Sequence, residues 1–199
     1  PDAFYVSGST RKICQLAGDT DFQWAKPTEN QTQSRYGLTG TDLGVPFTHK
    51  GMTMVLFGDT QGGGVSGDRD ALAFTTDINP EDGLALNFSA SNSVWRPITV
   101  PGISQNAYEV PLDAVSVSNR IYLYHSTDHS AQVAMGRSVV AVSTNDGTDF
   151  QLLYTLSRTN FINVSVNEIN LSDWPGFPQV GGKGLVLFGS AAYRASNVR

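Results

Sequence analysis

Two aspartates, Asp42 and Asp59, lie near the outer ends of two apolar runs in the segment TGTDLGVPFTHKGMTMVLFGDT, residues 39–60. A Lys-Gly turn joins the runs, so the segment is predicted to form a β-hairpin with a two-residue loop. His49 then pairs with Met52, and counting outward along both strands places Asp42 opposite Asp59. We therefore expect both carboxylates on the same face of one hairpin.

Such a pair has an electrostatic cost. Like charges directly opposite each other destabilise a sheet, because cross-strand Cβ atoms lie roughly 4.5 to 5.5 Å apart. The Coulomb repulsion at about 5 Å is near 1 kcal/mol in water and several times larger in a drier cleft. Three arrangements would offset it: a bound cation, a proton shared by the pair, or strands that splay so that both carboxylates face water. The sequence leaves all three open.

Two carboxyl groups that flank a cleft are the minimal equipment for glycoside hydrolysis. One carboxylic acid protonates the leaving oxygen, and the other carboxylate acts as base or nucleophile. A separation of about 5 to 5.5 Å suits retention of configuration, and roughly 6.5 to 9.5 Å leaves room for the water of an inverting mechanism. Strict cross-strand pairing favours the shorter distance, and splayed side chains could reach the longer one.

The elements that must position this pair are strands. Short β-branched and aromatic runs, among them MTMVLF, ALAFTT, RIYLYH, SVVAVS and GLVLFG, alternate with clusters of Gly, Pro, Asn and Asp. No segment keeps an apolar 3.6-residue period for three turns, so the patterns predict an all-β protein. The turn STNDGTDF at residues 143–150 resembles the Asp-box hairpin of sialidase-type propellers, and its polar side chains are expected to cap its own backbone.

A repeat runs along the chain. VLFGD at residues 55–59 recurs as VLFGS at 186–190, with YLYHS at 122–126 between them, which gives a period of about 66 residues. Each unit contains a strand, a polar turn and a second apolar strand. Self-similarity at this period is typical of propeller blades.

The repeat predicts one β-propeller domain, with an entry segment at residues 1–38 and inner hairpins of successive blades near 41–59, 108–126 and 175–190. Three blades do not close a ring, because propellers typically have four to eight. We therefore expect the chain to supply about the first three blades. A C-terminal chain, or a fragment lost by cleavage after Arg199, would complete the propeller.

Only the first repeat unit carries both acids. At the position of Asp42 the later units have Ala and Trp, and at the position of Asp59 both have Ser, namely Ser126 and Ser190. The propeller architecture therefore does not require the pair. We interpret the two aspartates as functional rather than as a structural turn or ion pair.

Six further side chains are candidates for contacts with a substrate: Arg35, Tyr36, Glu109, His125, Asp128 and Arg194. Arg35 and Tyr36 precede the first blade, where either could bind sugar and the arginine could lower the pKa of a carboxyl group. The alternative is that both lie in a solvated loop. Glu109 is either a third acid in the central funnel of the propeller or an ordinary charge at a strand edge. His125 and Asp128 lie with His129 at a polar strand end, where they could contact a metal or a sugar. Arg194 forms a salt bridge in the central funnel of the propeller or points outward.

Composition limits the classes of partner. The 199 residues are 40% hydrophobic and 16% charged with a formal net charge of −5, so nothing indicates binding to nucleic acid or to an acidic membrane surface. No apolar run approaches the roughly 20 residues of a membrane span. We expect no cofactor. A structural Ca²⁺ remains an alternative, because Asp59, Asp68 and Asp70 lie among glycines, although their spacing does not fit an EF-hand.

Longer motifs carry a family resemblance over nearly the whole chain. They are AKPTENQTQSRYGLTGTDLG, VLFGDT, GDRDALAFTTD, ISQNAYEVPLDAVSV, HSTDHS, MGRSVVAVS, FINVSV and GLVLFGSAAYRASNVR. The occurrence of GTDLG together with FGDT in one chain is a specific signal of family membership. In these motifs the chain resembles the family catalogued as domain of unknown function 4185, which includes the endo-D-arabinanases grouped as glycoside hydrolase family 183.

The resemblance implies a five-bladed β-propeller and a secreted, inverting glycoside hydrolase whose catalytic acids match Asp42 and Asp59. The substrate implied is a polysaccharide, arabinan-like or otherwise containing furanose sugars. The alternative function is a non-catalytic, lectin-like propeller, in which the same acids hydrogen-bond sugar hydroxyls without turnover.

Overall fold

The computed structural model describes residues 4–67, 69–130, 134–174, 176 and 181–191. In this part of the chain the fold is all-β, as predicted, and every strand pair is antiparallel. The helices here are one short α-helix, Thr32–Tyr36 (α1), and one 3₁₀ turn, Leu171–Asp173. Among these residues no helix has the length and apolar character needed to span a bilayer.

Fourteen strands are present in the described residues. They are β1 (Thr20–Asp21), β2 (Lys26–Pro27), β3 (Leu38–His49), β4 (Met52–Gly62), β5 (Arg69–Thr75), β6 (Asn87–Phe88), β7 (Ala90–Ser91), β8 (Val94–Trp95), β9 (Pro111–Val117), β10 (Arg120–Thr127), β11 (Arg137–Ser143), β12 (Gln151–Ser157), β13 (Asn163–Asn170) and β14 (Lys183–Ser190).

The longer strands form three sheets. Two are four-stranded meanders in chain order, β3-β4-β5-β6 and β9-β10-β11-β12, and the third pairs β13 with β14. The first strands of successive sheets lie side by side, β3 against β9 and β9 against β13. None of the sheets closes on itself. The first strands therefore share one side of the molecule, where their ends can form a common site.

Strand β4 is apolar on both faces. Met54 and Leu56 lie in a buried cluster with residues of the second sheet, whereas Val55 and Phe57 lie in a separate buried cluster with Phe88. Successive side chains of a strand point to opposite faces, so this alternation places β4 between two apolar layers.

A third buried cluster joins the second and third sheets. Val115, Tyr124 and Val140 of the second sheet pack against Val164 and Val166 of β13. Burial of apolar surface stabilises a fold by about 25 cal/mol per Å², so burial in these layers is the main contribution that holds neighbouring sheets together. The relative position of the three first strands follows from these layers.

The first hairpin has the predicted loop but not the predicted register at its open end. His49 pairs with Met52 across the two-residue loop, as expected. Asp42, however, pairs with Gly58 and not with Asp59, so the prediction that the two aspartates are directly opposite is wrong.

Irregular backbone in both strands causes this difference. The register shifts between Asp42 and Val45, and in that interval Leu43 has φ 61° and Gly44 has φ 144°. In β4, Asp59 itself has φ 42°. Bulges of this kind insert unpaired residues, bend the strand and re-aim side chains near active sites. Counting outward from the turn cannot anticipate them.

The third hairpin also differs from its prediction. Strand β14 pairs with β13 along its whole length, Asn163 opposite Ser190 and Asn170 opposite Lys183. The hairpin therefore begins at Asn163 and not near residue 175. Residues 175 and 177–180, which the prediction placed in its first strand, lie outside the described residues.

Polar side chains tie the turns of the first two sheets together. His49 is buried, with Nδ1 2.7 Å from the Ser116 hydroxyl and Nε2 2.9 Å from Asp146 Oδ1. Lys50 donates to the same carboxylate oxygen at 2.6 Å. Hydrogen bonds from Lys50 and then from His49 hold the pKa of Asp146 below its usual value. The 143–150 turn is thereby attached to the first hairpin.

We expect Gly147→Ala to lower the free energy of unfolding by about 1 to 3 kcal/mol more than Gly51→Ala does. Both glycines have positive φ, 83° and 77°, so each substitution carries a backbone cost of about 1 kcal/mol. A Cβ at position 147 would also overlap the buried Leu72 side chain, whereas one at position 51 meets nothing within 4 Å. Denaturant unfolding of the two variants measures the difference, and equal midpoints would contradict the packing assigned to this turn.

Candidate functional site

A cleft of about 530 Å³ lies at the ends of the first strands, and all three sheets contribute to it. Its size falls within the 300–1,000 Å³ range of small-molecule sites. Most of the side chains around it are apolar, and the polar ones are few. The described residues that line it are Asp42, Leu43, Val45, Asp59, Val110, Pro111, Leu112, Asn163, Val164, Ser165, Phe188, Gly189 and Ser190.

The structure brings Asp42 and Asp59 into this one cleft. Asp42 is exposed, and its Oδ1 accepts a hydrogen bond from the Leu43 amide at 2.6 Å. Asp59 is half-buried on the neighbouring strand. The two carboxyl groups therefore share one solvent-connected cleft, in which Asp42 is the more exposed of the two.

The hairpin is held together directly behind the two acids. The hydroxyls of Thr41 and Thr60 lie 2.8 Å apart, and the Thr41 hydroxyl also donates to the Gly58 carbonyl at 3.2 Å. Thr60 is fully buried. These contacts pin the strands at the bulge, so the positions of Asp42 and Asp59 are set by strand backbone rather than by a flexible loop.

The register shift also explains how the sheet tolerates the like charges. Because Asp42 pairs with Gly58, the two carboxylates are not forced into the closest cross-strand position. The hairpin therefore has a register shift where the sequence suggested splayed strands, and Asp59 is half-buried instead of facing water. Among the described residues no group of three or more His, Cys, Asp or Glu side chains is placed to hold a metal ion.

The side of the cleft opposite the aspartates belongs to the third sheet, and sequence reasoning found only part of it. Asn163 and Ser190 are register partners at the cleft end of β13 and β14, and Phe188 lines the cleft with 44% of its surface exposed. Ser190 was recognised as the repeat counterpart of Asp59. Asn163 and Phe188 are not identified from the sequence, because the repeat does not indicate which strand ends line the same cleft as the acids.

Glu109 is buried and engaged with backbone amides. Its Oε2 accepts from the amides of Asn106 and Ala107 at 3.0 and 2.8 Å, and its Oε1 accepts from the His129 amide at 3.1 Å. The carboxylate thereby joins the loop before β9 to the loop after β10. Its role in substrate binding stays a prediction, and Glu109 is not among the described residues that line the cleft.

His125 is fully buried between the first two sheets. Its Nδ1 lies 2.6 Å from the Ser126 carbonyl, and its Nε2 lies 2.9 Å from Asp70 Oδ2. A carbonyl only accepts, so Nδ1 is the donor to Ser126. The Gln105 side-chain amide lies 3.3 Å from Nε2 as a second polar neighbour. Burial raises the pKa of Asp70, despite the opposing contributions of His125 and Arg69.

Arg35 and Tyr36 contact each other and the outer strand of the first sheet. Arg35 donates to the Tyr36 hydroxyl at 2.6 Å, to Asn87 Oδ1 at 2.8 Å and to the Leu86 carbonyl at 3.2 Å. The Tyr36 ring packs against Phe88 with centroids 5.6 Å apart. These contacts anchor α1 to β6, and sugar binding by this pair stays a prediction.

Asp128 forms an ion pair with Arg137, whose Nε donates to Asp128 Oδ2 at 2.7 Å. The aspartate has φ 60° at the end of β10, and its carboxylate is 39% exposed. Arg194 and Asp68 lie outside the described residues, so the predicted roles of this arginine and of the aspartate in a Ca²⁺ site are not addressed by the structure.

We expect Asp70→Asn to change the free energy of unfolding little and Asp70→Ala to lower it by about 2 to 5 kcal/mol. The amide of Asn can donate to His125 Nε2 as a protonated carboxyl does, whereas Ala removes this partner and leaves the buried nitrogen with only the longer Gln105 contact of 3.3 Å. Denaturant titrations of both variants test this difference.

The same pair predicts a pH dependence. The folded-state pKa of Asp70 is raised above its ordinary 3.8, so its contribution to stability is complete below that value and is lost as the pH rises through the folded-state pKa. The wild-type protein should therefore lose stability relative to Asp70→Asn as the pH is raised from about 4. A constant difference between pH 4 and 8 would contradict the raised pKa.

No curated protein matches the chain. A family model described as a domain of unknown function (DUF4185) matches residues 27–197, a span that includes both aspartates and all three sheets. The chain therefore belongs to the DUF4185 family.

Proposed function

We propose that this protein is a secreted glycoside hydrolase that acts on an arabinan-like polysaccharide, with Asp42 and Asp59 as its general acid and general base. The observation that carries the proposal is that two carboxyl groups on neighbouring strands, which no repeat of the architecture requires, line a single cleft. One acid and one base on a shared cleft are what the hydrolysis of a glycosidic bond needs.

The two carboxyl groups have complementary roles in the proposed reaction. The carboxylic acid protonates the glycosidic oxygen as the bond to the anomeric carbon breaks, and the carboxylate removes a proton from the attacking water. The water attacks from the opposite face of the sugar, so the product has inverted configuration. The apolar side chains of the lining, among them Leu43 and Phe188, offer surface to the nonpolar faces of sugar rings.

The register of the hairpin supports inversion over retention. Residues directly opposite in a sheet have Cβ atoms roughly 4.5 to 5.5 Å apart, and diagonal neighbours are farther apart. Asp59 is displaced from the position opposite Asp42. The pair is therefore released from the short spacing that suits a covalent intermediate and is compatible with the longer spacing that admits a water molecule.

Asp42→Asn and Asp59→Asn should each reduce turnover of arabinan by about 10² to 10⁴-fold, because each removes one proton-transfer group. Binding of the polysaccharide should persist. Reducing-end assays measure turnover, affinity electrophoresis measures binding, and NMR of the first product anomer reports inversion. The matched control is Asp82→Asn, which changes an exposed aspartate outside the cleft.

Other outcomes separate the candidate functions. Binding without any product in the wild-type protein, unchanged in both variants, would support the lectin-like alternative. Turnover that survives both substitutions would overturn the assignment of the acids. A product that initially retains its configuration would contradict the inverting mechanism but leave the hydrolytic function in place.

We further propose that the three sheets are blades of a five-bladed propeller, completed by additional strands of the same protein. The first two sheets have four strands each in the same order, and β14 has a pairing partner on one side only among the described residues. Residues 184–190, GLVLFGS, carry no charge, and Leu185 and Phe188 are 40% and 44% exposed. A long uncharged edge is normally covered, because it templates association.

Hydrogen exchange tests this completion. In this chain alone, β14 amides that point away from β13 should exchange rapidly, and in a polypeptide that also carries the remaining blades they should become protected by about 10²-fold or more. The amides of β10, which is paired on both sides, serve as the internal control. Equal exchange of β14 in the two proteins would contradict the proposed edge.

A further inference from the structure

A second cavity, of about 660 Å³, lies beside the cleft. It is formed by the entry segment before α1 and by the first residues of β3, and it includes Phe22, Gln33 and Thr39. Leu43 lines both this cavity and the cleft that contains the two aspartates. We name the second cavity the entry groove. The two spaces meet at the residue that directly follows Asp42.

Leu43 is an unusual residue for this junction. It has φ 61°, a conformation that costs an L-residue roughly 1 to 2 kcal/mol and that glycine adopts freely. Its side chain is nevertheless 50% exposed, and its Cδ1 lies over Gly58. An exposed leucine in a strained conformation gains little stability for the fold, so the side chain is more simply explained by a contact that it makes with a ligand.

Phe22 is presented to solvent on a fixed backbone. Its ring is 89% exposed at the tip of the β1–β2 hairpin. The Phe22 amide donates to Gln15 Oε1 at 3.2 Å, and Asp21 Oδ1 accepts from the amides of Gln23 and Trp24 at 3.0 Å each. The backbone of the hairpin tip is thereby fixed, and the exposed ring lines the entry groove, where it offers an apolar face on which a sugar ring can stack.

The charges of the two cavities indicate the class of ligand. The described residues that line them include Asp19, Asp42 and Asp59 but no lysine or arginine. The Asp19 carboxylate accepts hydrogen bonds from the amides of Gln33 and Ser34. An anionic glycan would meet only like charges here, whereas a neutral chain of hydroxylated rings would meet apolar surface and polar side chains.

We propose that the entry groove is a second glycan subsite, which binds neutral sugar residues of the same polysaccharide beyond those that occupy the cleft. The chain passes over Leu43, and a distal sugar ring stacks on Phe22. Gln33 and Thr39 provide polar side chains for its hydroxyls. This inference rests on the proposed function, because it takes the cleft to hold a glycan.

Binding to the complete protein with the Asp59→Asn substitution tests the subsite without turnover. The probes are a neutral arabino-trisaccharide, which fills the cleft alone, and a neutral arabino-octasaccharide, which reaches the groove. Adding Phe22→Ala should weaken octasaccharide binding by about tenfold and leave trisaccharide binding unchanged. Phe22→Trp should restore the affinity for the octasaccharide, and Leu43→Gly should weaken it without disturbing the backbone conformation.

The control is Ile78→Ala, which removes a 92% exposed apolar side chain outside both cavities. In the active protein, Phe22→Ala should raise KM for the longer substrate and leave kcat unchanged. Loss of affinity for both probes alike, or for neither, would overturn the subsite. Tighter binding of a uronic-acid oligosaccharide than of the neutral octasaccharide would overturn its proposed ligand class.

The outcomes also separate this inference from the proposed function. Length-dependent binding through Phe22 in a protein without hydrolytic activity would retain the groove and refute the hydrolase. Hydrolysis that depends on Asp42 and Asp59 but shows no effect of Phe22 on long substrates would retain the hydrolase and refute the groove.

Discussion

The β3–β4 hairpin buries apolar side chains on both of its faces, and the arrangement of the other elements depends on this. One face, with Met54 and Leu56, packs on the second sheet. The other face, with Val55 and Phe57, packs in the separate buried cluster that contains Phe88. A strand of this kind is stable only between two apolar layers. The stacking of sheets brings the first strands together and creates a cleft at their ends.

The same hairpin must carry two carboxylates where its apolar region ends, and regular pairing would set them against each other. The backbone resolves this conflict by leaving the regular register between Asp42 and Val45 and again at Asp59. The strain is stored beside the cleft and is balanced by burial in the rest of the hairpin. In the proposed mechanism the same irregularity separates the acid from the base and presents Leu43 to the substrate.

Polar groups away from the cleft have a different role, which is to join loops and sheets. Glu109 binds amides of two loops, His125 forms a buried hydrogen bond with Asp70, and Asp146 attaches a turn of the second sheet to the first hairpin. Buried polar side chains of this kind are costly unless fully paired, and paired they specify one arrangement. Their partners are distant in the sequence, so a motif does not distinguish them from binding residues.

The sequence by itself determined the class of fold and the first hairpin with its turn, and it singled out Asp42 and Asp59 as candidates, because strand periodicity, turn chemistry and the repeat are local signals. Tertiary structure alone decided the register at the acids, the pairing of β14 with β13, and which side chains face the cleft. The reason is physical: bulges and sheet stacking depend on packing between segments far apart in the chain. Asn163 and Phe188 became part of the site through that packing, and Phe22 became an exposed platform through hydrogen bonds made by Gln15 and Asp21.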